Sequence, residues 1–248
     1  MNAVQVAQQV APQVAARPLP SGIEAARQVR REVGPRTLLA FSTGKDSLAA
    51  YEQIRPVFEE IIPYYFFLVP GLEFVENSIA YYERKLGFKV VQLPHPSLYR
   101  WLNAGAYQTP HSQTVIVAAG LAKLTYKLLI DLIAERKQLP SNVLAASGVR
   151  AADSPIRRVS MIQHGAVSYS TRNFYPVADW TKADVVASIN RLGVKLSVDY
   201  RIWGRSFDGL DARFLVPLKK ELPEDYRRVL EWFPLCELEV WKFERMAA

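Results

Sequence analysis

The first candidate for chemistry is a polar segment, STGKDS (42–47), which directly follows the apolar run RTLLAF and precedes the helical pattern LAAYEQI. A strand, a tight loop and a helix in this order present free backbone amides at the helix N-terminus, where an anion is favoured. Gly44 lets the backbone adopt a positive φ or approach a ligand closely. The hydroxyl groups add donors and Lys45 adds positive charge. The segment therefore predicts a phosphate-binding loop.

This segment differs from the two most familiar phosphate-binding motifs. A Walker A loop would need glycine in place of Leu39, and the loop also lacks the G-x-G-x-x-G pattern. The alternative interpretation is a plain helix cap, with Asp46 or Thr43 as the capping residue.

A second candidate is an arginine-rich segment, GVRAADSPIRR (148–158), which follows the apolar run NVLAAS. Open α/β sheets bind ligands beyond the carboxyl ends of their strands, and the planar guanidinium group suits phosphate or sulfate. The segment therefore predicts a second anion-binding loop. Asp153 is expected either to brace Arg150 or to lie beside a metal, and the alternative for Arg157 and Arg158 is a solvated pair.

Histidine and cysteine contribute little to these candidates. The three histidines have no metal-ligand spacing, and Cys236 is the one cysteine of the sequence, which excludes an internal disulfide or a cluster held by four cysteines of this chain. Acidic residues follow Cys236 closely and would raise its pKa. We expect a buried structural cysteine rather than a nucleophile.

The elements that must position these loops alternate between strand and helix patterns. Strand patterns are RTLLAFS, PYYFFLV, FKVVQL and NVLAAS. Helical patterns run from a capping box at Ser21 and Glu24 to Gly34, through FVENSIAYYERKLG, from about Ser112 to Gln138, through VVASINRLG behind a capping box at Thr181 and Asp184, and through LPEDYRRVLEWF. This order predicts a doubly wound α/β fold, with a mostly parallel sheet and helices on both faces.

Length and composition fit one such domain with an appended segment. The chain has 248 residues, of which 50% are hydrophobic and 22% charged. We predict a flexible arm over 1–20, the α/β domain over 21–205, and a small C-terminal helical extension, 206–248, packed on the same domain. No apolar run is long enough to span a membrane, the N-terminus does not read as a secretory signal, and the cysteine content suggests a reducing cytoplasm.

Charge adds the expectation of an anionic partner. The net charge is +7 and the pI is near 9.5, which suits a nucleotide or a polynucleotide. Aromatic residues alternate with arginine in YRIWGRSF (200–207), a pattern that can stack the bases of single-stranded nucleic acid. The alternative for this segment is ordinary packing with arginines that reach solvent.

Four segments in order resemble a known family. STGKDS resembles the S-G/T-G-x-D-S signature of the PP-loop superfamily, which comprises the ATP pyrophosphatases and their relatives. GVRAADSPIRR resembles the G-hydrophobic-R-x-x-E/D-S-x-x-R motif of the phosphoadenosine phosphosulfate (PAPS) reductases, one branch of that superfamily. PGLEFVE (70–76) and YPVADWTKADV (175–185) resemble two further segments of the same branch, so the resemblance covers about residues 36 to 205.

The resemblance implies a set of site residues. Catalytic roles would fall to Lys45, Asp46 and Arg150. The nucleotide would contact the phosphate loop, the turn after the second strand and the arginine-rich loop: Ser42, Thr43, Gly44, Lys45, Asp46, Ser47, Gly71, Glu73, Gly148, Arg150, Asp153, Ser154, Arg157 and Arg158.

The chain departs from the family in its cysteines. PAPS reductases carry a catalytic cysteine in a Cys-Gly-Leu-His setting, whereas Cys236 precedes Glu-Leu-Glu, and relatives with iron–sulfur chemistry need cysteine pairs. The resemblance therefore implies ATP or a related adenine nucleotide, with magnesium and without an iron–sulfur cluster. The implied reaction is adenylation with release of pyrophosphate, which is common among PP-loop enzymes. The family also includes phage and mobile-element members of unassigned role, and this cysteine-poor chain looks like one of them.

Two alternatives to this function stay open. One is a non-catalytic module that senses a nucleotide or binds a protein partner. The other is a component of a nucleic-acid modification system. The sequence is also compatible with a homo-oligomer.

Overall fold

A computed structural model describes residues 18–246 of the chain. Residues 1–17 of the predicted arm, 1–20, therefore lie outside the described residues. No helix in the described part is long and apolar enough to cross a membrane.

A six-stranded, mostly parallel sheet forms the centre of the molecule. Its strands are β1 (Arg36–Ala40), β2 (Glu60–Phe67), β3 (Val91–Pro94), β4 (Ala145–Ala146), β5 (Val167–Ser168) and β6 (Asn173–Phe174). Their order across the sheet is β3-β2-β1-β4-β6-β5. All neighbours are parallel except β5 and β6. The predicted mostly parallel sheet is confirmed.

Helices connect the strands and continue beyond the last of them. They are α1 (Gly22–Val33), α2 (Lys45–Ile54), α3 (Glu73–Leu86), α4 (Pro96–Asn103), α5 (Pro110–Ala119), α6 (Tyr126–Arg136), α7 (Pro155–His164), α8 (Lys182–Leu192), α9 (Val198–Trp203), α10 (Ala212–Glu221), α11 (Pro223–Trp232) and α12 (Glu237–Met246). Short 3-10 turns cover Ala151–Asp153 and Pro234–Cys236.

The side chains of β1 alternate between two helical layers. Leu39 packs in one cluster with residues of α1 and α2, among them Val29 and Leu48. Leu38 faces the opposite side and packs with Ile133 of α6. The sheet is therefore covered on both faces, as a doubly wound fold requires. Because the connection leaves β1 toward β2 on one side and β4 lies on the other, the carboxyl ends of β1 and β4 form the crevice where such folds bind ligands.

The continuous helix predicted from about Ser112 to Gln138 is wrong. The structure has two helices there, α5 and α6. Gly120 ends the first with φ +57° in the left-handed region, which glycine adopts without penalty. Thr125 starts the second by accepting a hydrogen bond from the Leu128 N–H. Apolar composition hid this boundary because both helices are rich in Leu, Ile, Val and Ala.

One of the two predicted capping boxes forms. The Thr181 side chain accepts from the Asp184 N–H, and the Asp184 carboxylate accepts from the Thr181 N–H. Ser21 precedes α1 but makes no capping hydrogen bond. Instead, the Gly22 N–H donates to Oδ1 of Asp179 at 3.1 Å. The capping box predicted from Ser21 and Glu24 is therefore wrong, because the carboxylate of Asp179 accepts from the first backbone N–H of α1.

The last three helices share a core with α3 and α4. Leu215, Val229 and Phe233 are fully buried there against Ile79 and Leu98. Cys236 lies in the same cluster. These shared apolar contacts pack the C-terminal helices on the α/β domain. The boundary at residue 205 between that domain and the extension stays a prediction.

Candidate functional site

A cavity of about 750 Å³ lies at the carboxyl ends of the first four strands. Its lining combines the phosphate loop, the loop after β4, an apolar wall and the chain around α9: Ala40, Ser42, Lys45, Asp46, Ser47, Tyr65, Phe66, Leu68, Val69, Leu72, Val75, His95, Ser97, Trp101, Ser147, Gly148, Val149, Asp153, Arg157, Asp199, Tyr200, Arg205, Ser206, Phe207 and Asp208. The volume is within the range of ordinary ligand sites.

The phosphate loop turns at Thr43 rather than at Gly44. Thr43 has φ +57°, whereas Gly44 is extended with φ −85°. Gly44 is needed for close approach, because a Cβ atom there would lie 2.6 Å from Oγ of Ser206 and 3.1 Å from the Tyr200 hydroxyl. Of the two uses predicted for this glycine, the structure shows the second.

No side chain of the phosphate loop itself caps the N-terminus of α2. Gly44 is the N-cap residue, and neither Asp46 nor Thr43 caps the helix. The plain-cap interpretation is therefore wrong. The Ser47 hydroxyl donates to the Gly44 carbonyl at 2.8 Å and accepts from the Ser42 N–H at 3.3 Å. These bonds hold the loop in a compact turn above the helix axis, where an anion is favoured.

The arginine-rich loop meets the phosphate loop through Arg150. Its side chain is 5% exposed, with Nη2 at 2.8 Å from Oδ1 of Asp153 and Nε at 3.3 Å from Oδ1 of Asp46. The Arg150 N–H also donates to Oδ2 of Asp153 at 2.9 Å. Asp153 thus braces Arg150, one of the two roles predicted for it. Arg150 itself lies beneath the cavity and does not line it.

Glycine brings the two loops together at one point. A Cβ atom on Gly148 would lie 2.3 Å from the Asp46 carbonyl oxygen and 2.9 Å from the Ser47 nitrogen. Only a residue without a side chain fits against that backbone. The loop after β4 therefore packs directly on the first turn of α2.

Arg157 and Arg158 face different surroundings. Arg157 lines the cavity, and its Nη1 donates to Oδ2 of Asp153 at 3.2 Å. Arg158 is exposed and outside the lining. Ser154 caps α7 by accepting from the Arg157 N–H.

The turn after β2 contributes to the site differently from the expectation. Leu72 and Val75 line the cavity, but Gly71 and Glu73 do not. Glu73 lines a separate cavity of about 490 Å³, and its N–H donates to the Asp225 carboxylate. Thr43 is buried and also lies outside the lining. The predicted residues that the structure does bring to the cavity are Ser42, Lys45, Asp46, Ser47, Gly148, Asp153 and Arg157.

The segment from Asp199 to Asp208 covers the phosphate loop. The sequence did not predict this contact. The Tyr200 hydroxyl accepts a hydrogen bond from the Lys45 N–H at 3.1 Å, and Nζ of Lys45 lies 5.7 Å from the Tyr200 ring centroid. Trp203 and Phe207 pack against Phe74 of α3. The alternation of arginine and aromatic residues was the available signal, but it suggested nucleic-acid stacking. The packing of the two rings favours the alternative of an ordinary packed segment.

Carboxylates neutralise the cations around the cavity. Lys45 pairs with Asp46, Arg157 with Asp153, and Arg205 with Asp208. An incoming anion must therefore share these cations with their carboxylates. Its binding depends on local donors rather than on a large excess of positive charge.

Cys236 lies in the C-terminal core rather than in the cavity wall. Its side chain is fully buried. Burial, with a smaller contribution from the charge of Glu239, raises the pKa of the thiol to about 12. The thiol therefore stays protonated at neutral pH, as expected for a structural cysteine.

The phosphoadenosine phosphosulfate reductase domain is the family whose model matches the chain, over residues 36–198. No curated protein sequence matches it significantly. One similar solved structure is the NH3-dependent NAD synthetase of Campylobacter jejuni in complex with the nitrate ion, with 12% identity, coverage of 89% of this chain and 91% of that one, and a TM-score of 0.45. Another is the U34-tRNA thiolase of Methanococcus maripaludis with its 4Fe–4S cluster, with 14% identity, coverage of 86% and 78%, and a TM-score of 0.41.

The expected cofactor set requires correction. Within residues 18–246, no group of three or more His, Cys, Asp and Glu side chains could hold a metal ion, so the prediction of magnesium at the site is wrong.

Proposed function

Since the chain belongs to the phosphoadenosine phosphosulfate reductase domain family, we propose that it binds an adenine nucleotide, with the phosphates against the loop of Ser42–Ser47. The observation that carries this proposal is the meeting of two loops at the carboxyl ends of β1 and β4. Arg150 lies 3.3 Å from Asp46, and Gly148 packs on the backbone of the same residue. Two segments with anion-binding composition thus form one site.

Three kinds of donor are available to the phosphates. The N-terminus of α2, which its own N-cap residue leaves without a side-chain cap, offers backbone amides with partial positive charge once the Tyr200 hydroxyl is displaced from the Lys45 N–H. The hydroxyl of Ser42 lines the cavity, as do the cations Lys45 and Arg157. Hydrogen bonds to charged groups are each worth about 1.5–3 kcal/mol, so a few of them support micromolar affinity after the cost of association.

We further propose that the reaction is adenylation. A nucleophilic acceptor attacks the α-phosphorus of ATP, the bond between that phosphorus and the bridging oxygen breaks, and pyrophosphate leaves with the electron pair. Lys45 and Arg157 would stabilise the charge on the leaving group. No thiol takes part, which agrees with the buried and protonated state of Cys236.

Calorimetric titration of the full chain with ATP and PAPS, in a buffer containing a chelator, tests nucleotide binding. GTP serves as the control for the base. We expect binding of ATP or PAPS and a raised melting temperature; unchanged melting with both nucleotides would overturn the proposal. Release of pyrophosphate together with an adenylated acceptor, or with AMP where water cleaves that adenylate, would support adenylation, and binding without release would favour the non-catalytic module.

The pair Arg157 and Arg158 offers a matched test of the phosphate end of the cavity. We expect Arg157→Ala to weaken ATP binding about tenfold, because it removes a lining cation that can form a charge-assisted hydrogen bond. Arg158→Ala removes the same charge from an exposed neighbour and should change affinity less than twofold. Equal losses in both variants, measured by calorimetry, would indicate a long-range charge effect instead of a contact.

Tyr200→Phe tests whether the amide at the start of α2 receives the phosphate. The Tyr200 hydroxyl occupies the Lys45 N–H in this structure, and a phosphate oxygen would have to displace it. Removing the hydroxyl while keeping the ring should raise ATP affinity about threefold, in line with about 0.5–1.5 kcal/mol for one hydrogen bond. Weaker binding in the same titration would show that the hydroxyl contacts the nucleotide.

A further inference from the structure

The cavity contains a buried carboxylate that forms no ion pair, unlike the other carboxylates of the lining. Asp199, in the first turn of α9, is 4% exposed and lines the cavity. Its Oδ2 accepts from the Phe207 N–H at 3.3 Å, whereas its Oδ1 has no hydrogen-bond partner. The other three carboxylates of the lining, Asp46, Asp153 and Asp208, each form an ion pair. Among the described residues, none forms an ion pair with Asp199.

This state is costly for the protein without a ligand. An ionised carboxylate can accept about four hydrogen bonds, and Asp199 accepts one. A buried acceptor without a partner is destabilising, and more so when it is charged. A ligand that donates to Oδ1 would remove this cost on binding.

The surroundings of Asp199 would strengthen a hydrogen bond from a ligand to Oδ1. Tyr65, Leu72, Val75 and Phe207 line the same cavity, so water is partly replaced by apolar and aromatic surface. Hydrogen bonds are stronger where the local dielectric constant is low. Burial, with an added contribution from the charge of Asp199, raises the pKa of Tyr65, so the Tyr65 hydroxyl stays neutral beside this carboxylate.

We propose that Asp199 is a specificity-determining residue, whose free oxygen accepts a hydrogen bond from an N–H or O–H group of the bound nucleotide. This inference rests on the proposed nucleotide binding and adds a selection rule to it. A nucleotide with a donor at this position is favoured, and one with a carbonyl or no donor there leaves the carboxylate unsatisfied. The donor is an amino group of the base or a hydroxyl of the ribose.

The experiment compares four nucleotides by calorimetry on the full chain. They are ATP, inosine triphosphate (a carbonyl replaces the amino group of the base), and the 2′-deoxy and 3′-deoxy forms of ATP. We expect one analogue to bind at least tenfold more weakly than ATP, as the loss of a hydrogen bond to a charged group implies. The analogue that is weakened identifies the donor.

Asp199→Asn then assigns the discrimination to this residue. The Phe207 N–H holds the amide oxygen on its own side, so the amide NH2 takes the place of Oδ1 and faces the donor of the ligand. The affinity ratio between ATP and the weakened analogue should fall below about threefold. Asp208→Asn, which changes a lining carboxylate that already pairs with Arg205, should keep the wild-type ratio.

The outcomes separate this inference from the function on which it rests. Equal affinity of the wild-type protein for all four nucleotides overturns the role of Asp199 and leaves nucleotide binding intact, even if Asp199→Asn does not fold. An unchanged ratio in a folded Asp199→Asn protein, with melting checked by circular dichroism, also overturns it. If the wild-type protein binds none of the four, the proposed function fails and this inference fails with it.

Discussion

Replacing Arg150 by alanine is expected to lower the free energy of unfolding by about 3 kcal/mol and to abolish stabilisation by ATP. The guanidinium group is buried between Asp46 and Asp153. Removing it leaves no cation between these two carboxylates, which keep only their more exposed partners, Lys45 and Arg157. Loss of one partner from a buried ion pair typically costs about 3–5 kcal/mol. Both carboxylates retain some exposure, which places the expected value near the lower end.

Urea unfolding followed by circular dichroism measures this effect, with Arg158→Ala as the control. Arg158 has the same charge and lies eight residues further along the chain, in α7, but it is exposed, so the change there should stay within about 0.5 kcal/mol. A loss below about 1 kcal/mol in Arg150→Ala would show that Arg150 does not hold the two loops together. A melting temperature that still rises with ATP in this variant would show that the phosphates are bound without it.

The second large effect is expected for Gly148→Ala, which adds a single methyl group. Its Cβ would lie 2.3 Å from the Asp46 carbonyl oxygen and 2.4 Å from the Asp46 carbonyl carbon. Because these are backbone atoms, the loop after β4 must move away from α2 by about 1 Å to reach ordinary contact. Overpacking of this kind costs about 1–3 kcal/mol. We expect the free energy of unfolding to fall by about 3 kcal/mol and the affinity for ATP to fall at least tenfold.

Gly209→Ala is the matched control for this substitution. The Cβ there would meet only side-chain atoms, at 3.2 Å from Cδ2 of Phe214 and 3.3 Å from Oδ2 of Asp211. These side-chain atoms can shift by a few tenths of an ångström, so the free energy of unfolding should fall by less than about 1 kcal/mol. Thermal unfolding and ATP titration of both variants decide the comparison. Equal behaviour would show that the tight approach at Gly148 is relieved without cost.

Local signals in the sequence were sufficient for the sheet and for two of its loops. The alternation of apolar runs and helical patterns predicted parallel strands, and parallel strands place their carboxyl ends at one edge. This is why the loop of Ser42–Ser47 and the loop around Gly148 could be expected to lie together before any coordinates were known. The glycine at position 148 was visible, but the backbone it fits against was not.

The rest of the site depends on contacts between distant parts of the chain. Nothing near Lys45 in the sequence indicates that Tyr200 lies over its N–H. The role of Asp199 was likewise hidden, because a carboxylate in a short helix is usually exposed and becomes unusual only when its burial is known. Glu73 was expected beside the nucleotide, and only the packing of α11 shows that it faces another cavity.

The hydrogen bond between Lys45 and Tyr200 joins positions 155 apart in the chain, and the Asp225 carboxylate reaches back over 152 positions to the start of α3. Because synthesis on the ribosome proceeds from the N-terminus, the strands and the phosphate loop emerge long before the segment that covers them. A nascent chain therefore presents an open phosphate loop until Tyr200 has emerged, and the start of α3 lacks its carboxylate partner until Asp225 has emerged.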